Sequence, residues 1–320
     1  VEADTGALLE AANQRLASLD ATSEASDWLE AHLQAGCAAR RALDEAMGRE
    51  DALHEARIWR ELGRSLPADA AVFVSNSMPV RHFDTFLPQR SAPLEPFFNR
   101  GLNGIDGILS TGFGVARARE VPTPDGEPRS NTVIVTGDVA FRHDIGALIA
   151  GRRLGCDATI VVCDNGGGGI FAKLPIAEFD DEFETHFLTP PGLESSGDML
   201  GVDVAEPQSW PEFAARVAES LETPGLNIIR VRTDRERDET LADRHIQRAS
   251  EAARDAIEGR SVDSNTVSVA LSTDSVSVVA LHGFSGSSED WSADSELWRG
   301  RACVSLDLPG HSPDPRLELL

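Results

Sequence analysis

The residues of this sequence best suited to chemistry are a carboxylate and an amide that each follow a β-rich segment. Asp138 comes just after the apolar run at 131–136, and Asn165 stands 27 residues later, just after the run at 158–163. Because a crossover helix joins parallel strands, both strand ends should meet at one edge of a sheet. Paired oxygen ligands of this kind suit a hard divalent cation, which commonly also binds a phosphate group.

Four consecutive glycines, Gly166 to Gly169, follow Asn165 directly. Without side chains, their backbone can approach a diphosphate closely, and the next residues, Ile170 and Phe171, can begin a helix whose N-terminus favours an anion. The stretch from 136 to 171 therefore predicts a metal–diphosphate site.

The elements that must position these side chains alternate between strand and helix patterns over residues 63–248. We predict strands at 71–75, 131–136, 158–163 and 226–231, with helices ending near residue 119 and spanning 144–153 and 210–221. This order predicts an α/β domain, a parallel sheet with helices on both faces. Ligands of such sheets lie beyond the carboxyl ends of the strands. Four polar residues fall there: Asn76, Arg100, Asp138 and Asn165.

The rest of the chain divides into three segments. Residues 1–62 read as a helical lead-in from a preceding domain, without a candidate site. Residues 249–275 are small and polar, which is typical of a linker. Residues 276–320 contain two further strand patterns and are too short to close a normal α/β sheet, so we predict a truncated domain there.

Composition narrows the function classes. A formal net charge of -24, with Lys173 as the one lysine, argues against nucleic acid or anionic membranes as partners. No apolar run reaches membrane-spanning length and no signal peptide opens the chain, so we expect a cytoplasmic protein; the initial Val1 suggests a piece of something longer. The cysteines show no metal spacing, and Cys156 and Cys163 are expected to be buried thiols.

The pattern of Gly137-Asp138 followed by Asn165 resembles the cofactor-anchoring motif of thiamine-diphosphate enzymes. Three further motifs make the segment from about residue 60 to 245 similar to the C-terminal domain of the 2-succinyl-5-enolpyruvyl-6-hydroxy-3-cyclohexene-1-carboxylate synthases of menaquinone biosynthesis. These motifs are Ser75-Asn76-Ser77 with Arg81, Asn99-Arg100-Gly101 with Gly104 to Gly107, and Asp164 to Phe171 with Leu174.

The resemblance implies a role for each matching residue. Asp138, Asn165 and the carbonyl of Gly167 would hold Mg²⁺ or Mn²⁺. Arg81 and Arg100 would bind substrate carboxylates, a task suited to a planar guanidinium. The implied catalytic residues are Ile105, which would hold the cofactor bent, Arg81 and Arg100. The implied cofactor-binding residues are Ser77, Ile105, Gly137, Asp138, Val139, Asn165, Gly167, Gly168, Ile170 and Phe171. The implied substrate-binding residues are Asn76, Arg81, Arg100 and Leu174.

The same resemblance implies an activity. The family is a transferase that decarboxylates 2-oxoglutarate and adds the succinyl unit to isochorismate, as a dimer or tetramer of full-length chains. Its activating glutamate lies in an N-terminal pyrimidine-binding domain that nothing here resembles, so we expect this chain to be inactive alone. Three residues depart from common patterns: Val139, Asp164, which could strengthen metal binding or face away, and Gly169.

Two alternatives remain at this point. Residues 276–320 resemble the opening of an α/β-hydrolase, closest to 2-succinyl-6-hydroxy-2,4-cyclohexadiene-1-carboxylate synthase, with His282 to Phe284 as an oxyanion-side loop. Ser285 is not expected to be a nucleophile, because Ser287 stands where the nucleophile motif of these hydrolases has its last glycine. The chain could instead be a non-catalytic cofactor-binding subunit that completes the active site of another chain.

Overall fold

The computed structural model describes residues 27–101, 104–120, 131–179, 185–186, 200–258, 278–281 and 303–306. One compact unit spans Leu33–Arg260, and a second includes the strands near the end of the chain. The α-helices are α1 (Asp27–Gly48), α2 (Glu55–Ser65), α3 (Met78–Phe86), α4 (Ile108–Arg119), α5 (Asp138–His143), α6 (Ala147–Leu154), α7 (Trp210–Glu222) and α8 (Arg235–Glu258). Among the described helices, none has the length and apolar character needed to cross a bilayer.

The first unit is organised around a parallel sheet. Its strands are β1 (Ala70–Val74), β2 (Leu94–Phe98), β3 (Thr132–Gly137), β4 (Ala158–Asp164), β5 (Val204–Ala205) and β6 (Leu226–Arg232). They lie in the order β2-β1-β3-β4-β6-β5, and every pair is parallel. The chain after β1, after β3 and after β4 therefore leaves three neighbouring strands at the same edge of the sheet.

Side chains that alternate along the central strands pack into two separate cores. In β3, Val133 and Val135 face the core covered by α1, α2, α3, α7 and α8, whereas Ile134 faces the core covered by α4, α5 and α6. The same alternation recurs in β4, where Cys163 belongs to the first core as a buried free thiol. This period of two, with both faces buried, explains why the central strands are nearly continuous in apolar residues.

The predicted α/β fold with helices on both faces is confirmed, and several elements were not predicted, among them the helices α3 and α5. The short edge strands β2 and β5 were not predicted, because a strand of two to five residues with little burial carries no clear periodicity. Helix α8 was not predicted either, and it extends to Glu258, into the segment predicted to be a linker. Its alanines and charged residues are good helix formers, and Ala249 is buried against the first core.

In the second unit, β7 (Val278–Leu281) pairs in parallel with β8 (Cys303–Leu306). Both lie within segments predicted to be strands. The turn at His282 to Phe284 and Ser285 lie outside the described residues, and the hydrolase interpretation stays a prediction.

A pair of buried histidines lies in the first core. The His54 ring centroid is 5.8 Å from that of Trp210 and 5.4 Å from that of His245, and the ring nitrogens of both histidines are buried without a hydrogen-bond partner. Burial, followed by the positive charges of His245 and Arg57, lowers the pKa of His54 to about 3. His54 is therefore neutral in the folded chain at neutral pH.

This histidine should make stability fall in mild acid. Because the unfolded chain binds a proton near pH 6.5 and the folded chain does not, His54 should contribute a loss of about 2 kcal/mol to the free energy of unfolding between pH 7 and pH 5, opposite in sign to the contributions of Asp138 and Asp238, whose pKa values are raised by burial. Urea unfolding at several pH values would measure the slope for each protein, and the free energy of unfolding of His54→Phe should rise by about 2 kcal/mol relative to that of the unchanged chain from pH 7 to pH 5. An equal slope in both proteins would contradict the assignment.

Candidate cofactor site

A cavity of about 380 Å³ lies beyond the carboxyl ends of β1, β3 and β4. Asp138 follows β3 and Asn165 follows β4, and the pairing of Gly137 with Cys163 brings the two turns side by side. Asn76 follows β1 on the other side of β3. The sheet thus places the turn residues where the sequence predicted a ligand.

Most of the predicted site residues line this cavity. They are Asn76, Ser77, Arg81, Ile105, Gly137, Asp138, Val139, Asn165, Gly168, Ile170 and Phe171. Three do not: Arg100, Gly167 and Leu174. Arg100 instead contacts Asn76, Gly167 is buried in the adjoining loop, and Leu174 is 48% exposed.

Asp138 carries a buried carboxylate that lacks a full set of partners. Its Oδ1 accepts a hydrogen bond from the Val139 backbone N–H at 2.8 Å, whereas its Oδ2 is buried and has no donor among the described residues. Burial raises the pKa of Asp138 to about 7, and the nearby carboxylates of Asp164 and Glu55 add to the shift. A negative charge held here needs a cation, and the orphaned Oδ2 is available to one.

Asp164, the unusual acidic residue next to Asn165, is paired with a buried arginine. The Arg230 Nε donates to Asp164 Oδ2 at 2.6 Å, and Arg230 Nη1 lies 2.8 Å from Glu206 Oε1. The side chains of Asp164 and Arg230 are only 11% and 6% exposed. Arg230, from β6, therefore compensates the charge of Asp164, whose carboxylate lies near that of Asp138.

The glycine run forms a loop that only glycine adopts easily. Gly166, Gly167 and Gly168 have φ of +81°, +83° and +72°, and L-residues with side chains are strained in this region. The Gly167 N–H donates to Asn165 Oδ1 at 2.9 Å, and the Gly167 carbonyl accepts from Arg235 Nη1 at 3.5 Å. The loop folds back on Asn165 and presents backbone to the cavity.

The turn after β1 supplies the polar wall opposite the glycine loop. The Asn76 Nδ2 donates to the carbonyl of Asn99 at 2.8 Å, and Asn76 Oδ1 accepts from Arg100 Nη1 at 3.3 Å. Ser77 has φ of +71°, an uncommon value for a residue with a side chain, and its carbonyl accepts from Arg81 Nη1 at 2.7 Å. Such strained residues cluster at functional sites. Both predicted substrate arginines are thus attached to this turn.

These residues fit a divalent cation that prefers oxygen ligands, such as Mg²⁺ or Mn²⁺, better than one that prefers nitrogen or sulfur ligands. No cluster of three or more His, Cys, Asp or Glu side chains suited to a metal occurs in the described part of the chain. The donors that line the cavity are the Asp138 carboxylate and the Asn165 amide oxygen, and the Gly167 carbonyl, which accepts from Arg235, lies in the adjoining loop; all of them are oxygen atoms. Mg²⁺ is usually held by one or two carboxylates together with phosphate oxygens and water, so this small set is sufficient.

Sequence reasoning missed several lining residues: Glu55, Met78, Pro79, Ala140, Cys163 and Gly169. Glu55 is the important one, because the helical lead-in was expected to contain no site residue and that expectation is wrong. It opens α2, is 4% exposed, and accepts a hydrogen bond from Asn165 Nδ2 at 2.7 Å. A charged residue at the first turn of a helix is ordinary in sequence, so no local signal marked it.

Comparison with known proteins identifies the class of this site. Residues 87–231 match the family model of the thiamine pyrophosphate enzyme C-terminal TPP-binding domain. These residues are similar to that family, whose description names thiamine pyrophosphate, the predicted cofactor, as the ligand.

Curated relatives that share one name are similar to a longer part of the chain. The chain is 44% identical over 187 residues to 2-succinyl-5-enolpyruvyl-6-hydroxy-3-cyclohexene-1-carboxylate synthase of Geobacillus thermodenitrificans, covering 58% of this chain and 30% of the relative. It is 40% identical over 213 residues to the synthase of the same name from Myxococcus xanthus, covering 65% and 34%. The chain thus spans about a third of the length of these relatives.

One solved structure overlaps the domain more loosely. Benzoylformate decarboxylase from Polynucleobacter necessarius superposes with a TM-score of 0.45 at 20% identity, over 57% of this chain and 33% of its own. This overlap adds nothing to the conclusion drawn from the sequence relatives.

Proposed function

We propose that this chain is the thiamine-diphosphate- and Mg²⁺-binding part of a 2-succinyl-5-enolpyruvyl-6-hydroxy-3-cyclohexene-1-carboxylate synthase, a transferase that joins the succinyl unit of 2-oxoglutarate to isochorismate. The observation that carries the proposal is the cavity at the end of β3 and β4. There a buried carboxylate with an orphaned oxygen, an amide and a left-handed glycine loop converge.

The diphosphate end of the site is assigned to Asp138, Asn165 and Gly167. These residues would hold Mg²⁺, or Mn²⁺, against the diphosphate, and Gly168 would allow the loop backbone to approach it closely. A metal is needed because Asp138 and Glu55 both line the cavity and would otherwise repel a diphosphate. When bound, thiamine diphosphate supplies the electron sink for decarboxylation.

The substrate end is assigned to the turn after β1. Arg81 lines the cavity, and Arg100 is joined to it through Asn76, so two guanidinium groups flank one polar wall. Guanidinium groups suit the carboxylates that 2-oxoglutarate and isochorismate carry. Ile105 lines the same cavity and would support the bent cofactor, and Ile170 and Phe171 add an apolar wall.

The chain alone would form only part of a catalytic centre. Because it spans about a third of its relatives, we expect the activating glutamate and the oligomeric state to come from the remaining length of the protein. Turnover in a mixture with a separate pyrimidine-binding domain, and none in either part, would favour a subunit that completes another chain's site.

Calorimetric titration of thiamine diphosphate into the chain, with and without Mg²⁺, tests the proposal. We expect saturable binding that requires the metal, and none of thiamine, which lacks the diphosphate. Circular dichroism would establish that the sample is folded. A folded chain that binds neither ligand, or binds both equally without metal, would contradict a metal–diphosphate site.

Gly169→Ala should weaken metal binding by crowding Asn165. A Cβ at Gly169 would lie 2.8 Å from Asn165 Nδ2, too close for the amide to keep its place. We expect Mg²⁺ to bind about tenfold more weakly, the usual effect of disturbing the support of a ligand. Gly146→Ala is the control, because nothing lies within 4 Å of its added Cβ and its φ is -59°. Equal affinity in both variants would contradict the expectation that metal binding depends on this position of the Asn165 amide.

A further inference from the structure

Glu55 makes a buried hydrogen bond to a residue of the proposed metal site. Its Oε1 accepts from Asn165 Nδ2 at 2.7 Å, across 110 positions of sequence, and its side chain is 5% exposed. The remaining amide atom, Asn165 Oδ1, accepts from the Gly167 N–H at 2.9 Å. Hydrogen bonds therefore fix the positions of both the NH₂ group and the oxygen of the Asn165 amide.

The orientation of this amide matters because an amide has two chemically different ends of similar shape. Only the oxygen can bind a cation, and a 180° rotation would present the NH₂ group instead. A carboxylate accepts hydrogen bonds and cannot donate them when ionised, so Glu55 admits only one of the two orientations. The Gly167 N–H, a donor, requires the same orientation.

Glu55 is itself fixed on its other sides. Its backbone N–H donates to Asp238 Oδ1 at 2.9 Å, which attaches the start of α2 to α8. Its Oε2 lies 3.2 Å from His82 Nδ1, an approach that lacks hydrogen-bond geometry. Glu55 and Asn165 also border a second, smaller space of about 20 Å³.

We propose that Glu55 is a positioning residue, which holds the Asn165 amide with its oxygen toward the metal. The inference rests on the proposed function, since it concerns the same metal site. Glu55 acts through Asn165 and touches neither the metal nor the substrate in this role.

Mg²⁺ affinity in the presence of thiamine diphosphate tests the role. Glu55→Ala should weaken Mg²⁺ binding about 10- to 100-fold, the range found when the hydrogen-bond partner of a ligand is removed. Glu55→Gln should stay within about threefold of the unchanged chain, because its amide oxygen can still accept from Asn165 Nδ2. Glu61→Ala is the matched control, since Glu61 is a half-buried carboxylate of the same helix that bonds only arginines in the described contacts.

The conservative variant separates orientation from charge. If Glu55→Gln loses as much affinity as Glu55→Ala, the charge of Glu55 matters and the positioning role is overturned. Unchanged affinity in Glu55→Ala would overturn it as well. A double variant with Asn165→Ala should lose little more than Asn165→Ala alone, because the effect of Glu55 passes through that residue.

A second measurement needs neither metal nor a truncated side chain. In the metal-free chain, the Asn165 side-chain NH₂ protons should exchange slowly with solvent by NMR, with Asn165→Asp used to assign them. Fast exchange in the folded chain would overturn the proposal even if Glu55→Ala fails to fold. Slow exchange in a chain that binds no Mg²⁺ would instead contradict the proposed function, and the role of Glu55 with it, while the hydrogen bond itself would stand.

Discussion

Replacing Asp138 with asparagine should raise the free energy of unfolding of the metal-free chain while abolishing Mg²⁺-dependent binding of thiamine diphosphate. The folded-state pKa of Asp138 is raised, through burial first, from 3.8 to about 7. Because the folded chain holds this proton more tightly than the unfolded chain, the free energy of unfolding falls as the pH rises from about 4 to 7. The total loss, reached above pH 7, is about 4 kcal/mol. Asparagine removes the buried charge beside Asp164 and Glu55.

Urea unfolding of both proteins in metal-free buffer at pH 6 and pH 8 would measure the effect. The gain from Asp138→Asn should be larger at pH 8, where the carboxylate of the unchanged chain is ionised. With Mg²⁺ and thiamine diphosphate at about 100 times their dissociation constants, the unchanged chain should gain about 2.7 kcal/mol and the variant nothing. A variant less stable than the unchanged chain at pH 8, or one that still binds the metal, would disprove this account.

The second large effect is expected at Arg230, which pairs with Asp164 in the interior. Arg230→Met should destabilise the chain by about 3 to 5 kcal/mol, because removing one partner leaves a buried carboxylate uncompensated. That carboxylate also adjoins Asp138, so two negative charges would then face each other. Thermal or urea unfolding at pH 7 measures the loss directly.

A double variant identifies the cause. Arg230→Met combined with Asp164→Asn should recover most of the stability, because the most buried partner charge is removed, while Glu206 is 33% exposed and keeps Arg232 at 3.5 Å. Arg216→Met provides the comparison, because its ion pair with Glu219 is exposed and should contribute less than about 1 kcal/mol. If the double variant is as unstable as Arg230→Met alone, packing of the arginine and not its charge stabilises β6.

The sequence was informative where function depends on residues at strand ends. Asp138 and Asn165 could be placed together because parallel strands joined by a helix end at one edge, whatever the details of packing. The same reasoning placed Asn76 at the site. Long apolar strands and the glycine run also carry strong local signals, which is why the α/β fold could be predicted.

Contacts between distant segments could not be predicted in this way. The sequence could not decide whether Asp164 strengthens metal binding or faces away, because its partner Arg230 is 66 positions away and belongs to another strand. Glu55 is 110 positions from Asn165, and its helix shows only an amphipathic pattern. Nothing in the local sequence states which buried polar groups will meet, since that depends on how the helices pack on the sheet.

The location of α2 determines where this domain can be divided. The helix contributes Ile58, Trp59 and Leu62 to one of the two cores, and it also carries Glu55. The match to the family model begins at residue 87, after both α2 and β1. A fragment cut to residues 87–231 would lack β1, which lies between β2 and β3, and would also lose the Glu55 contact to Asn165. A fragment meant to keep the sheet and this contact together must therefore begin before Glu55.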